Sequence, residues 1–477
     1  MPRSLAARTA AVLLSLGLAT TGCSAVDAVT DRLTGGDRAK EGAAGFVRGF
    51  LGAAVADEPQ AALAARAVLS AGGNAADAAV AAGFTLAVTL PSRASLGGGG
   101  ACLAFAPQSP LLGAEAVMFL PQPGGAAGGD RPAAAPMLAR GMFALHARYG
   151  RRPFESLIVP AEQLARFGAP VSRAFARDLD VVAAPLGADP DTAAIFLPGG
   201  RRAVEGDTLV QSDLAGTLGQ LRVAGIGDLH QGGLARRFAE AGQRAGGGIT
   251  TEALRAALPQ YLPAPKLALG GFDYAAFLPT DGGLAAGQAL RVLAGNPAGY
   301  DAAAGRAAGI AAAWRRGAYA GDGQAALMAG DALSGSLPAL PASTGFLTVD
   351  REGNAVACVL TMNNLFGTGR VAPQTGVVLA ASPSSMAAPL LSAAIVFGTR
   401  SNVTFKAAVT GTGQEGAPMA VGVGLQQSLA ARRALPNPVP EPGRANVMIC
   451  PNELPGSPEQ CSWAADSRGR GLAAGGN

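Results

Sequence analysis

The chain has 477 residues, enough to bury a large core, and its composition excludes several classes of protein. Hydrophobic residues make up 49% of it, so disorder throughout is excluded. The net charge of +4 comes from 37 basic and 33 acidic residues. No run of five or more like charges occurs, and no basic stripe is interleaved with aromatic residues. A nucleic-acid partner therefore has little support.

Histidine is scarce, because only His146 and His230 occur. A histidine-based triad or a histidine-rich metal site would have few candidates to draw on. The sequence also lacks a CxxC pair and a carboxylate cluster with metal-ligand spacing. We therefore expect neither a metal nor another cofactor.

The first 22 residues have the pattern of a secretory signal peptide. Two arginines precede a short apolar stretch at residues 10–19, and small residues follow it. This stretch is too short to remain as a membrane-spanning helix. Cys23 directly after Gly22 resembles a bacterial lipoprotein box, although Thr20 stands where an aliphatic residue is usual. An ordinary signal, cleaved or uncleaved, is the alternative.

Lipidation of Cys23 would make residues 23–45 a polar, lipid-anchored tether. The protein is then expected on the periplasmic side of the bacterial cell envelope, joined to the membrane by its N-terminal lipid. Ser24 after the cysteine favours the outer membrane over the inner one.

The predicted elements of the folded part begin with two helices and a strand. The first helix covers residues 60–71 and stops at Gly72, and Asn74 caps the second. The glycine-rich residues 96–100 then lead into a strand at residues 101–105. Further helices are predicted over residues 139–149, 161–167, 213–223 and 251–257, with a loop over 122–136 and a linker over 330–342.

A β-hairpin is predicted from two strand-like runs, residues 343–350 and 355–361, separated by a turn with Gly and Asn. If the four intervening residues form the loop, Thr344 stands opposite Thr361. A shift of one residue would place Ser343 there instead. In both registers two hydroxyl groups meet at the open end of the hairpin.

A Ser or Thr at the start of a strand, after a linker that can be cut, suits one kind of catalysis. A hydroxyl is a poor nucleophile until a base takes its proton. Cutting the chain would free an α-amine with a pKa of roughly 7.7–8.0, which can act as that base. Residues 330–361 fit this description. On spacing alone, a solvated strand start is the commoner explanation.

The same region resembles the start of the small subunit of γ-glutamyltranspeptidases. The matching motifs are Ser343-Thr344-Gly345, Asp350, Gly353-Asn354-Ala355-Val356, Thr361-Met362-Asn363 and Phe366-Gly367-Thr368-Gly369. Other blocks resemble the family in the same order, at residues 72–80, 96–100, 149–150, 160–161, 206–209, 213–215, 247–250 and 464–469. The resemblance covers most of residues 55–380.

The resemblance implies an α+β fold, the four-layer αββα sandwich of N-terminal-nucleophile hydrolases. Such a chain is a zymogen that is cut into two partner chains, here a large-subunit region at 46–342 and a C-terminally shortened small-subunit region at 343–477. The family moves a γ-glutamyl group from glutathione or related compounds to water or an amino acid through an acyl-enzyme. The implied substrate is therefore a small γ-glutamyl or related amide compound.

The resemblance also assigns roles to individual residues. The nucleophile falls on Ser343, where the family has Thr, with Thr344 as the alternative if the cut lies one bond later. Thr361 matches a hydroxyl that hydrogen-bonds near the nucleophile, and Asn363 matches an amide that contacts substrate. A cross-strand polar pair and a turn amide are the plainer explanations of these two residues.

The residues that would hold the glutamyl head group depart from the family pattern. The family's carboxylate-binding Arg is replaced within residues 118–121, and Ser385 stands on or near the position of its ammonium-binding Asp. Of a Ser pair that contacts substrate, Ser392 is the residue that remains. An unpaired, desolvated charge costs roughly 1–3 kcal/mol or more, so altered substrate specificity is expected.

The oxyanion-hole glycines of the family align near Gly411, Gly413 and Gln414. Removal of one oxyanion donor can lower a rate about 10²–10³-fold. Two hypotheses follow: an N-terminal-nucleophile amidohydrolase or acyltransferase with altered acyl preference, or a non-catalytic envelope lipoprotein that keeps the fold for binding or scaffolding. The retained Thr361, Asn363 and Phe-Gly-x-Gly loop favour the enzyme, whereas the loss of the family's Arg, Asp and Gly-Gly favours the non-catalytic lipoprotein.

Export also makes disulfides possible. Cys450 and Cys461 flank a turn-rich loop that can bring their thiols together, so a bridge is predicted between them. Cys102 and Cys358 lie in apolar strand-like runs, which favours two buried free thiols.

Overall fold

The computed structural model describes residues 50–125, 129–330, 343–385 and 387–476. The predicted signal peptide, Cys23, the tether and all of the predicted linker except Gly330 lie outside these ranges. None of the helices within them combines the length and the apolar character that crossing a bilayer requires.

Most of the longer strands build two antiparallel sheets. The strands are β1 Gly52–Ala56, β2 Gly99–Phe105, β3 Ala114–Phe119, β4 Gln122–Pro123, β5 Ala134–Ala135, β6 Ala169–Pro170, β7 Thr208–Leu209, β8 Gln260–Pro263, β9 Lys266–Gly270, β10 Asp273–Phe277, β11 Ser343–Asp350, β12 Ala355–Thr361, β13 Val371–Ala372, β14 Val377–Val378, β15 Ser392–Gly398, β16 Thr404–Thr412, β17 Arg444–Leu454, β18 Ser462–Ala465 and β19 Leu472–Gly476.

Helices cover the outer faces of these sheets. They are α1 Pro59–Ser70, α2 Ala75–Thr89, α3 Leu138–Tyr149, α4 Phe154–Phe167, α5 Arg173–Gly187, α6 Pro190–Phe196, α7 Ser212–Ala224, α8 Asp228–Gln231, α9 Gly233–Arg244, α10 Thr251–Ala256, α11 Asp281–Gly295, α12 Tyr300–Arg315, α13 Gly323–Met328 and α14 Ala417–Ala431.

The layers follow the order helix, sheet, sheet, helix. A seven-stranded sheet has the order β19-β1-β11-β12-β2-β3-β8, and a six-stranded sheet has the order β18-β17-β16-β15-β10-β9. One apolar core lies between the first sheet and helices such as α2. A second lies between the other sheet and α11, α12 and α14, and a third lies between the two sheets. The fold is therefore the four-layer αββα sandwich that the resemblance implies.

Each sheet contains strands from both sides of the predicted cleavage point. In the first sheet, β11 and β12 lie between β1 and β2. In the second, β15 pairs with β10. Because antiparallel strands share their backbone hydrogen bonds, neither predicted region completes a sheet without the other.

Local signals explain the start of α2. The Asn74 side chain accepts from the backbone N–H of Asp77, and the Asp77 carboxylate accepts from the backbone N–H of Asn74. This reciprocal pair satisfies two N–H groups that lack helical partners. The helix predicted at 161–167 begins earlier than expected, at Phe154, and continues through Pro160. It packs against α2.

The hairpin adopts the second of the two registers that the sequence leaves open. Ser343 stands opposite Thr361, and Val349 stands opposite Ala355. The turn fixes this register, because Asp350 accepts from the backbone N–H groups of both Glu352 and Asn354. In this register Asp350 stands opposite Asn354, so the loop has three residues instead of four.

The described residues contain two disulfides, of which the sequence predicted one. Cys450 is bonded to Cys461, in agreement with the bridge expected across the turn-rich loop. The expectation of two free thiols is wrong, because Cys102 is bonded to Cys358. These residues stand directly opposite each other on β2 and β12. Their separation of 256 residues leaves no local sequence signal for the pairing.

Candidate active site

Ser343, the first residue of β11, faces the space between the two sheets. Side chains alternate along a strand, so Ser343 shares a face with Gly345 and Leu347. Leu347 belongs to the core between the sheets, and a Cβ on Gly345 would lie 2.7 Å from Thr410 Oγ1 of the second sheet. Ser343 is 2% exposed, and it lines a cavity. Thr361 lies directly across from it.

Thr344 belongs to the opposite face, and its hydroxyl is already engaged. Its Oγ1 donates to Asp57 Oδ2 at 3.1 Å, and its side chain is fully buried. Of the two candidate nucleophiles, Ser343 is therefore the residue that the fold directs toward a cavity.

Asp57, at the end of β1, holds the start of β11 in place. Its Oδ2 accepts from the Gly345 backbone N–H at 2.9 Å, and its Oδ1 accepts from Asn446 Nδ2 at 2.8 Å. Burial raises the pKa of the Asp57 carboxyl, while the donors from Gly345 and Asn446 act in the opposite direction. The contact with Asn446 on β17 ties the two sheets together beside Ser343.

An ion pair between half-buried Arg93 and buried Asp178 completes this side of the site. Arg93 Nε and one terminal nitrogen donate to the two carboxylate oxygens of Asp178, at 2.8 and 2.7 Å. Ser92 Oγ also donates to Asp178. Sequence reasoning missed Asp57, Arg93 and Asp178, because their partners lie far away in the sequence and no local motif marks them.

A cavity of about 310 Å³ opens beside Ser343. Its lining includes Arg93, Arg177, Arg444 and Arg468, and we call it the arginine pocket. Asp57 and Asp178 also line it, together with apolar residues of α5. The candidate nucleophile therefore borders a pocket whose lining carries more cations than anions.

Part of the predicted oxyanion hole lines the same pocket. Gly413 and Gln414 border it, with left-handed φ angles of 98° and 56°. They precede α14, where backbone N–H groups lack helical partners and can donate to an anion. Gly411 instead lies within β16, paired with Ser392 and Ala445. The arrangement supports Gly413 and Gln414 as donors more than Gly411.

A second cavity, of about 350 Å³, borders Thr361 and Asn363. Its lining is dominated by Leu, Pro and Trp side chains, and we call it the apolar pocket. Leu120, from the segment that replaces the family's arginine, lies in this lining. Asn363 has a left-handed φ of 59°, and its Nδ2 donates to Ala381 O at 3.0 Å.

Two predicted substrate contacts lie outside the lining of the apolar pocket. Ser385 is exposed, and its Oγ donates to Ser382 O. Ser392 is fully buried, and its Oγ donates to Leu390 O. The structure therefore brings Thr361 and Asn363 to a cavity but does not bring Ser385 and Ser392 there.

Across the described ranges, no group of three or more His, Cys, Asp or Glu side chains is arranged to hold a metal ion. The polar groups at this site include the Ser343 and Thr361 hydroxyls, the arginines, and the carboxyl groups of Asp57 and Asp178.

Solved structures with this architecture define the class. The protein is similar to the cephalosporin acylase of Bacillus halodurans, with a TM-score of 0.68 and 17% identity over 90% of this chain and 96% of the other. The γ-glutamyltranspeptidase of Helicobacter pylori is 28% identical, with a TM-score of 0.50, over 57% of this chain and 85% of that one. The fold is that of the N-terminal-nucleophile hydrolases.

The family model for γ-glutamyltranspeptidase matches residues 61–316, more than half of the chain. The chain belongs to the γ-glutamyltranspeptidase family. It is 31% identical to the glutathione hydrolase proenzyme of Escherichia coli (strain K12) over 369 residues. That alignment covers 65% of this chain and 63% of the relative, so the chain spans just under two thirds of the relative's length.

Proposed function

We propose that the protein is an amidohydrolase or acyltransferase that cuts its own chain before Ser343 and then uses Ser343 as its nucleophile. Family and fold support a γ-glutamyltransferase-like hydrolase of the N-terminal-nucleophile class. The observation that carries the proposal is the position of Ser343. It begins β11, stands opposite Thr361 and shares a pocket with Gly413 and Gln414.

In self-cleavage, Ser343 Oγ attacks the carbonyl carbon of residue 342. The peptide bond breaks, an ester forms on Oγ, and the α-amine of Ser343 is released. Water then hydrolyses the ester, which leaves a carboxylate on residue 342 and restores the hydroxyl. One peptide bond and one water thus give two chain ends, with Ser343 as the new N-terminus.

Catalysis repeats this chemistry on an amide substrate. The freed α-amine takes the Ser343 hydroxyl proton as Oγ attacks the substrate carbonyl. N–H groups near Gly413 and Gln414 stabilise the oxyanion. The C–N bond breaks, and the proton passes to the leaving amine. Water or an acceptor amine then removes the acyl group from Oγ.

We further propose that the acyl preference differs from that of the family. The apolar pocket contains Leu120 where a carboxylate-binding arginine would be needed, and Ser385 supplies no acid. A zwitterionic glutamyl group would lose hydration there without gaining charged partners. Hydrolysis of a γ-glutamyl anilide is expected to be weak or absent.

The location proposed for this activity is the periplasmic side of the bacterial cell envelope, with attachment through a lipid on Cys23. The basic and apolar N-terminal pattern and the cysteine after Gly22 support this proposal. Metabolic labelling with a radioactive or clickable fatty acid tests it. Label in the wild type and none in a Cys23→Ala variant is the expected result.

The variants Ser343→Ala and Thr344→Ala test the catalytic proposal. The wild type and Thr344→Ala should each give two chains on a reducing denaturing gel, whereas Ser343→Ala should stay intact. An intact wild type after long incubation would favour the non-catalytic scaffold. Cleavage in Ser343→Ala but not in Thr344→Ala would move the nucleophile to Thr344.

A further inference from the structure

We propose that the arginine pocket binds a carboxylate on the amine side of the substrate, while the apolar pocket holds an uncharged acyl group. The substrate class is then an N-acyl amino acid, which is hydrolysed to a carboxylic acid and a free amino acid. This inference rests on the proposed function, because it requires an acyl-enzyme on Ser343.

The two pockets lie on opposite sides of the Ser343–Thr361 pair. The arginine pocket includes Ser343 and, from the neighbouring strand β1, Asp57 at its end. The apolar pocket includes Thr361 and reaches Leu120, directly after β3 on the other side. An amide carbonyl held at Ser343 has its acyl group on one side and its amine on the other. Each half of the substrate therefore meets a different lining.

The charges in the arginine pocket favour an anion. Arg93 and Asp178 form an ion pair with each other, so their charges offset. Burial raises the pKa of Asp57, which disfavours its negatively charged form. Arg444 and Arg468 are also cationic, although each is paired with a carboxylate outside the lining.

Arg177 supplies the cation that is available to a ligand. It is exposed on α5, and it donates a long hydrogen bond, 3.5 Å, to Arg468 O. Within the described ranges it forms no ion pair with a carboxylate. Glu205, which lies close enough for Arg177 to lower its pKa, is already paired with Arg173 at 2.6 Å. A guanidinium binds a carboxylate through two parallel N–H donors.

The apolar pocket has the opposite character. Its one acid and one cation, Asp281 and Arg315, are bonded to each other at 2.5 Å. The rest of the lining is mainly apolar and includes Trp314 and Leu391. An uncharged acyl chain is buried there without leaving a charge unpaired.

Hydrolysis of an N-acyl amino acid at Ser343 needs water as its only other reactant. Ser343 Oγ bonds to the acyl carbon as the C–N bond breaks, and the hydroxyl proton leaves with the amino acid. Water then breaks the acyl ester, releases the carboxylic acid and returns a proton to Oγ.

The test uses the self-cleaved protein and pairs of substrates that differ in one charge. N-acyl-L-alanine is compared with the corresponding neutral diamide, N-acyl-L-alaninamide, with acetyl, phenylacetyl and octanoyl as acyl groups. The wild type should hydrolyse at least one acid with kcat/KM about tenfold above that of its diamide. This preference should fall as NaCl is raised, because salt screens an exposed charge.

Variants at Arg177 test whether this side chain causes the preference for the acid over the diamide. Arg177→Gln should remove it by raising KM for the acid about tenfold more than KM for the diamide, and Arg177→Lys should keep part of it. Arg166→Gln is the matched control. It removes another exposed arginine outside the lining, and its partner Glu162 keeps Arg222. In this control the preference should stay intact.

Each other outcome overturns the inference. Equal rates for acid and diamide, or a preference for the acid that survives in Arg177→Gln, would show that the arginine pocket does not bind the carboxylate on the amine side of the substrate. Turnover of neither substrate by a cleaved protein would exclude this substrate class, while the self-cleavage part of the proposed function stands. A chain that never cleaves refutes the proposed function itself.

Discussion

Removing the disulfide between Cys102 and Cys358 should destabilise the protein more than removing the other bridge. The two cysteines are 256 residues apart, and for a loop of that length the chain-entropy relation gives about 5.5 kcal/mol. Cys450 and Cys461 are 11 residues apart, which gives about 2.8 kcal/mol. Substituting each pair by alanine should therefore lower the free energy of unfolding by amounts that differ about twofold.

Urea unfolding measures both losses, in a Ser343→Ala background that keeps the chain in one piece. The double variant of Cys102 and Cys358 should show the larger fall in midpoint. Equal losses for the two double variants would refute the reasoning. So would titration of free thiols at Cys102 and Cys358 in the denatured, unreduced protein.

The same disulfide has a consequence for the cleaved protein. Cys102 lies before the predicted cut and Cys358 after it, so the bridge should hold the two chains together. A denaturing gel should show one band of full size without reductant and two bands with it. Two separate chains without reductant, in a fully cleaved sample, would contradict the pairing.

Three further substitutions test the site and the core. Thr344→Val should leave self-cleavage intact on a gel. It should lower the free energy of unfolding by about 1–2 kcal/mol, because the buried Asp57 carboxylate loses a hydrogen-bond donor. A loss of cleavage would contradict this prediction. Burial and the neighbouring Arg140 lower the pKa of His230 from 6.5 to about 4, so the stability that neutral His230 contributes is present above pH 6.5 and lost as the pH falls. Relative to His230→Gln, the wild type should lose about 3 kcal/mol of unfolding free energy between pH 7 and pH 4, and a pH-independent difference would be inconsistent with this. Gly345→Ala should lower the free energy of unfolding in urea by about 1–3 kcal/mol and slow self-cleavage, because the added Cβ would crowd Thr410. An unchanged unfolding midpoint would argue against that contact.

Features with a local cause could be predicted from the sequence. The cap of α2 depends on Asn74 and Asp77, three residues apart, and the hairpin depends on a short turn. The bridge between Cys450 and Cys461 spans one loop. The αββα architecture followed from ordered family motifs rather than from local physics.

Features that depend on distant contacts could not be predicted. Asp57 meets Thr344 across 287 residues and Asn446 across 389. The pairing of Cys102 with Cys358 needs the order of strands β2 and β12, which the periodicity of each strand does not give. The hairpin register required the carboxylate contacts of the turn, which are a property of the folded chain.

The most direct test of the whole account is the mass of the smaller chain after incubation and reduction. Intact-protein mass spectrometry should find a fragment whose N-terminal residue is Ser343, and it should be missing from the Ser343→Ala variant. A fragment that begins at any other residue, or an undivided chain in the wild type, would contradict the claim that Ser343 becomes an N-terminal nucleophile.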